Sequence, residues 1–161
     1  MTKINPLGII RKHLETFGDR DGERRGGDYA LFYGVPLVSG VAVWTCFPGL
    51  RIGAACRATA INVNAIFIPL AFALMTSLLS LKGRLAEPKA DLLVRHLYHN
   101  TAYCVLLSVI SVTVLFLIEI FGTDGGRWFA AAFVLMACHI LLNILMVAKR
   151  FNAIMCEALK K

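Results

Sequence analysis

Five polar side chains interrupt otherwise apolar stretches of this sequence: Asn62, Asn64, Glu119, His139 and Asn143. Chemistry would be sought there first, because a polar group away from water must be hydrogen-bonded, paired or functional. His139 is the only ionisable group near the middle of its stretch, and Asn143 shares its helix face at the i+4 spacing. Ser111 falls at matching depth on the preceding stretch, so the spacing predicts a Ser111–His139 hydrogen bond between helices. A proton-sensing or pore-lining imidazole is the functional alternative. Glu119 lies near the end of its stretch within reach of Arg57 and Arg127, where an interfacial ion pair is expected ahead of a gating or proton-carrying carboxylate. His96-x-x-His99 has the one-face spacing of a metal pair but no further ligands at a recognisable spacing, which predicts two interfacial histidines beside Tyr98 and Tyr103 and no metal. Asp19, Asp21 and Glu23 alternate as in the opening of a calcium loop, but Gly22 comes too early and no glutamate closes the frame. There is no G-x-S-x-G, no Walker loop, no H-E-x-x-H and no pair of carboxylates in one cavity, so neither an enzyme nor a cofactor is expected.

The elements that must position these residues are four apolar stretches, Tyr29–Pro48, Ala58–Leu81, Thr101–Phe121 and Trp128–Ala148. Crossing a hydrocarbon core takes about 20 apolar residues in a helix, and each stretch reaches that length. With 58% apolar residues in a chain of 161, the expected fold is all-α: one integral-membrane bundle of four transmembrane helices over residues 29–148. The polar prelude of residues 1–28 lacks the pattern of a cleaved signal, so all four segments are expected to persist.

Net charge is +7, and its distribution points to orientation rather than to nucleic acid. Lys3, Arg11, Lys12, Arg20, Arg24, Arg25, Lys82, Arg84, Lys89, Arg95, Lys149, Arg150, Lys160 and Lys161 fall on one side. Only Arg51, Arg57 and Arg127 fall on the other, which predicts that both termini and the central loop are cytoplasmic. Of the cysteines, Cys46 and Cys56 bracket a short outer turn, where either a bridge or two interfacial thiols could form.

Asn5–Phe17 reads as a helix, with Asn5 as cap and Pro6 at its first position. Leu7, Ile10, Leu14 and Phe17 form its apolar stripe, with Arg11 and Lys12 on other faces; this suits a helix lying in an anionic leaflet, or one packed against the bundle or a partner. Gly18–Asp28 is a mixed-charge, glycine-rich tether. Pro88 can start a short helix in the central loop, with Asp91 and Arg95 as an ion pair. The outer connections are short, so exchange with soluble partners is expected at the cytoplasmic face, through Arg84, Lys89 and Arg95 in this loop. In the second span Asn62, Pro69, Ala73, Ser77 and Ser80 share roughly one face, expected to be a helix interface or, in an oligomer, a pore lining. Residues 149–161 read as a basic cytoplasmic tail.

Four spans, both termini inside, minimal outer loops and a basic inner face resemble the small membrane components of bacterial anti-phage defence systems, such as the Kiwa membrane subunit. That resemblance implies a multi-pass protein of the bacterial inner membrane that forms homo-oligomers, responds to disturbance of the envelope and engages a cytoplasmic protein partner. Leu7, Ile10, Arg11, Lys12, Leu14, Phe17, Arg84, Lys89 and Arg95 would then contact membrane or partner. A pore-forming, membrane-depolarising effector or holin-like protein is the alternative, with Asn62, Ser77, Ser80, His139 and Asn143 toward a lumen and Ser111 and Glu119 in the polar network. A small-solute transporter comes third, since only His139 and Pro69 offer a charge or helix break at the midplane. Span one lacks the embedded glutamate of small multidrug transporters.

Overall fold

The computed structural model describes residues 5–17, 26–81, 88–121 and 126–158. These residues are almost entirely helical, with no strand among them. Helix α1 spans Pro6–Glu15; α2 (Gly26–Tyr29) runs through a π-helical segment, Ala30–Gly34, into α3 (Val35–Cys46). Helices α4 (Ala54–Leu81), α5 (Pro88–Phe121) and α6 (Gly126–Ala158) follow. Four helical runs are long and apolar enough to cross a membrane: Gly27–Cys46, Ala54–Ser80, Asp91–Phe121 and Gly126–Cys156. No more than 33% of the most apolar window of any of them is buried within the chain. Large side chains such as Val38, Ile66, Leu70 and Phe116 point outward. A surface of this kind is stable only against lipid or another protein.

Helices α5 and α6 extend well beyond the apolar runs. Residues 91–100, expected as loop around a short helix, instead continue the third span without a break, and α6 carries the fourth into the tail. Hydropathy marks where lipid is, whereas a helix ends only where a breaker stands, and none lies between Pro88 and Phe121. Leu93, Val94, Leu97 and Tyr98 keep a 3-4 repeat through this segment, and they use it. Val94 and Leu97 bury with Leu78 of α4 and Ile154 of α6 in one cluster. Phe17, Phe32 and Met146 bury in a second. Both clusters lie at the end of the bundle that holds α1, the start of α5 and the end of α6, called here the basic end.

The helices pack as an open row. Helix α4 contacts α5, α5 contacts α6, and α6 contacts α3, while α1 docks on α5. The seam between α3 and α6 is set by Gly40: a Cβ there would lie 3.1 Å from Leu135 Cβ and 3.2 Å from the Ala131 carbonyl oxygen. Small residues supply such close approach in lipid, where apolar burial between helices drives little. Gly40→Leu is expected to wedge α3 from α6 and cost about 1–3 kcal/mol, read as a lowered unfolding free energy in mixed micelles.

At the opposite end Arg127 lies over the Trp44 ring at 4.9 Å, and Trp44 packs on Trp128. Arg57 grips Glu119 through two bonds, Nε to Oε1 at 3.0 Å and Nη2 to Oε2 at 3.1 Å. This bidentate pair fastens α4 to the end of α5. Cys46 and Cys56 are free, exposed thiols.

Candidate functional site

The densest polar chemistry lies at the basic end, where α1 is fastened into the bundle. Asn5 Oδ1 accepts from the Gly8 N–H at 3.2 Å and Pro6 opens the helix, so α1 is locally well specified. Its burial differs from the expected pattern. Leu7 is 75% exposed, Leu14 is partly buried, and Phe17 is buried; the deepest residue of the helix is His13, at 0% exposure. The inward face therefore runs through His13, Thr16 and Phe17 rather than along the Leu7–Ile10–Leu14–Phe17 stripe. Interior hydrogen bonding decides this: a histidine and a threonine that find partners outweigh one more leucine contact.

Those partners come from α5. His13 Nδ1 donates to Asn100 Oδ1 at 2.9 Å, and the ring stacks on Tyr103 with centroids 3.8 Å apart and planes 13° from parallel. The Thr16 hydroxyl lies 2.7 Å from the His13 carbonyl oxygen and 2.8 Å from the same Asn100 oxygen. Arg150 of α6 donates to the Thr16 carbonyl at 2.9 Å, and the Tyr29 hydroxyl donates to the Leu14 carbonyl at 3.1 Å. Phe17 fills the space between Tyr29, Phe32 and Tyr33. Burial lowers the His13 pKa to about 4; the Asn100 bond opposes that, while His139 and Arg150 add to it. His13 is therefore neutral at pH 7.

The same network continues to His139, which does not bond Ser111. Its Nδ1 lies 2.8 Å from the Phe32 carbonyl oxygen and its Nε2 lies 2.9 Å from the Tyr103 hydroxyl. A carbonyl only accepts, so Nδ1 carries the proton and Tyr103 donates to Nε2. The helix register explains the correction: with Tyr103 level with His139, Ser111 stands two turns farther along α5. There it lines a groove between α4 and α6 with Asn64 and Ile144.

A proline explains why the Phe32 carbonyl is available. Pro36 stands four residues after Phe32 and has no N–H to return, so the chain takes a π turn at Ala30–Gly34 and His139 supplies the missing donor. Asn143 shares the His139 face, but its Nδ2 bonds the His139 carbonyl at 2.8 Å and the side chain is fully buried.

The remaining predicted positions fall elsewhere. Asn62, Ser77 and Ser80 are exposed on α4, with Pro69 and Ala73 on the same outward face, so within one chain this stripe is not a helix interface. The two serines bond back to carbonyls of their own helix. Ile10 is half-buried, and Arg11 and Lys12 are exposed, Arg11 pairing with Glu15. Arg95 pairs with Asp91 at 3.6 Å in the first turns of α5. The Lys89 side chain, Arg84, and the tether stretch 18–25 with its Asp19, Asp21 and Glu23 lie outside the described residues. Among the described residues no three metal-binding side chains gather.

His13, Thr16, Asn100 and Pro36 are the residues that sequence reasoning passed over, while Tyr103 was read only as an interfacial neighbour of His96 and His99. Asn100, Thr101, Cys104 and Ser108 follow the buried 3-4 repeat of α5, and that periodicity was the signal. Against known protein families, curated proteins and solved structures, the chain finds no match.

Proposed function

We propose that this chain is a non-enzymatic, oligomeric sensor or anchor subunit of a bacterial anti-phage defence complex, seated in the inner membrane with both termini cytoplasmic. It acts through its cytoplasmic face, which corresponds to the basic end. The observation that carries this reading is the latch on α1. A ten-residue helix is held by a buried network, yet it turns Leu7 and Arg11 outward, at 75% exposure for Leu7. A helix too short to be stable alone is thus presented as a fixed surface, suited to a partner or to the leaflet. The positive-inside rule favours the cytoplasm for that end.

The test is gentle extraction of tagged protein together with its cytoplasmic neighbours. Wild type is expected to elute as an oligomer with a soluble partner, and a Leu7→Glu/Arg11→Glu variant to lose at least ten times more of that partner than of its own oligomer. Recovery of a lone monomer from wild type counts against the proposal.

A pore-forming reading draws on one observation, the outward polar stripe of Asn62, Ser77 and Ser80 on α4. His139 and Asn143 cannot join it in a lumen, because both are buried within one chain. Unchanged membrane potential in cells overproducing and triggering the protein would dispose of this reading.

A further inference from the structure

Beside the docked α1, a cavity of about 660 Å³ opens between α1, α4 and α5, within the usual size range of small-ligand sites. Its wall is apolar, formed by Ile9, Phe72, Met75, Val105 and Val109, and its rim holds Lys12, Tyr98 and His99. A second cavity of about 390 Å³ shares those three rim residues and adds Arg95. No acidic side chain lines either cavity, and Arg95 also pairs with Asp91 at 3.6 Å, so Lys12 is the cation left to a headgroup in full. Lys12 makes no hydrogen bond or ion pair among the described residues. Charge and polarity are therefore uneven along the groove: Lys12, Arg95, Tyr98 and His99 gather at the basic end, and apart from Asn5 the rest of the lining is apolar.

The dimensions of the groove match one leaflet. His99 and Val109 are ten residues apart on α5, about 15 Å along the helix axis, which is about half of a hydrocarbon core. Arg95, Tyr98 and His99 occupy the first turns of the third span, where headgroups lie, and Tyr98 suits that interface. Lys12 reaches the same level from α1, its alkyl stem covering apolar wall while the ammonium stays at the rim.

We propose that this groove is a binding site for one anionic phospholipid of the leaflet at the basic end, with an acyl chain against Met75 and Val105 and the phosphate between Lys12 and Arg95. A zwitterionic lipid would fill the apolar wall equally well, so the headgroup charge supplies the preference. A soluble anion would gain nothing from that wall.

The experiment is native mass spectrometry of the full chain, titrated with phosphatidylglycerol or phosphatidylcholine of identical chains. Lys12, with Arg95 shared between the headgroup and Asp91, predicts a preference of about five- to thirtyfold for phosphatidylglycerol. Lys12→Gln/Arg95→Gln is expected to bring that ratio within about twofold of unity, and Arg11→Gln/Lys149→Gln, which removes the same charge elsewhere, to leave it intact. Met75→Trp, which fills the wall without altering charge, is expected to lower affinity for both lipids at least tenfold while the protein keeps its oligomeric state. Equal affinity for the two lipids in wild type overturns the proposal. So does equal loss of the preference in the control variant, or full competition by inorganic phosphate at matched concentration.

Discussion

Replacing His139 with leucine is expected to lower the unfolding free energy by about 3 kcal/mol, since two buried polar groups each lose a partner at about 1–3 kcal/mol apiece. The Phe32 carbonyl loses the only side-chain donor it has among the described residues, and the Tyr103 hydroxyl loses its acceptor. Interhelical hydrogen bonds in membranes average well below this, because the unfolded chain in lipid finds other partners. Here local re-pairing is blocked by Pro36, which denies Phe32 the N–H that an ordinary helix provides. The double variant Pro36→Ala/His139→Leu should therefore regain about 1–2 kcal/mol relative to the sum of the single effects, as restored backbone bonding takes over from the imidazole. Tyr103→Phe, which deletes one hydrogen bond and keeps the ring under His13, should cost only about 1 kcal/mol. Unfolding titrations in mixed micelles of wild type, Pro36→Ala, His139→Leu, the double variant and Tyr103→Phe measure these effects. Strict additivity of Pro36→Ala and His139→Leu would show that the proline does not govern this carbonyl.

The four spans were legible because apolar run length is a property of the sequence alone, and lipid demands it. Their ends were less so. Nothing in hydropathy separates the start of α5 at Pro88 from the start of its apolar run at Thr101, because Asp91, Arg95, His96 and His99 depress the average while leaving the helix unbroken. The apolar repeat through Leu93, Val94, Leu97 and Tyr98 carries the continuity, and it was masked by charges on the other face.

The site was harder for a different reason. Depth counting places His139 and Ser111 at one level only if both helices start at the same height. The observed register puts Tyr103 there instead. Similarly, Leu7, Ile10, Leu14 and Phe17 recur at helical spacing in α1, but docking selected the face bearing His13 and Thr16. Hydrogen-bond partners supplied from residues 100 and 103 are invisible to a helical wheel. Glu119 and Arg57 were easier, because both charges sit at helix ends where topology alone brings them together.

Acidification is expected to release α1. Burial holds the His13 pKa at about 4, against 6.5 for an exposed imidazole, so the detached helix binds a proton more readily than the docked one. Docking is thus at full strength above pH 6.5, weakens as pH falls from 6.5 toward 4, and loses no more below 4. The difference corresponds to about 3 kcal/mol, or about 300-fold in the docking equilibrium. Geometry gives the same sign. The Nδ1 proton is already committed to Asn100, so the added proton would sit on Nε2, which is buried with no hydrogen-bond partner among the described residues. The groups facing the ring are Asn100 and Tyr103 of α5 with His139 and Arg150 of α6, and none of them is an acid that could compensate the new charge. Hydrogen exchange of α1 amides between pH 7.5 and pH 4.5, corrected for the intrinsic pH dependence, should show protection falling by about 100-fold over that interval. His13→Gln, which cannot take up a proton, should dock less firmly at pH 7.5 and show a flat corrected profile. Equal pH dependence in wild type and His13→Gln would assign the effect to another group and remove His13 from the latch.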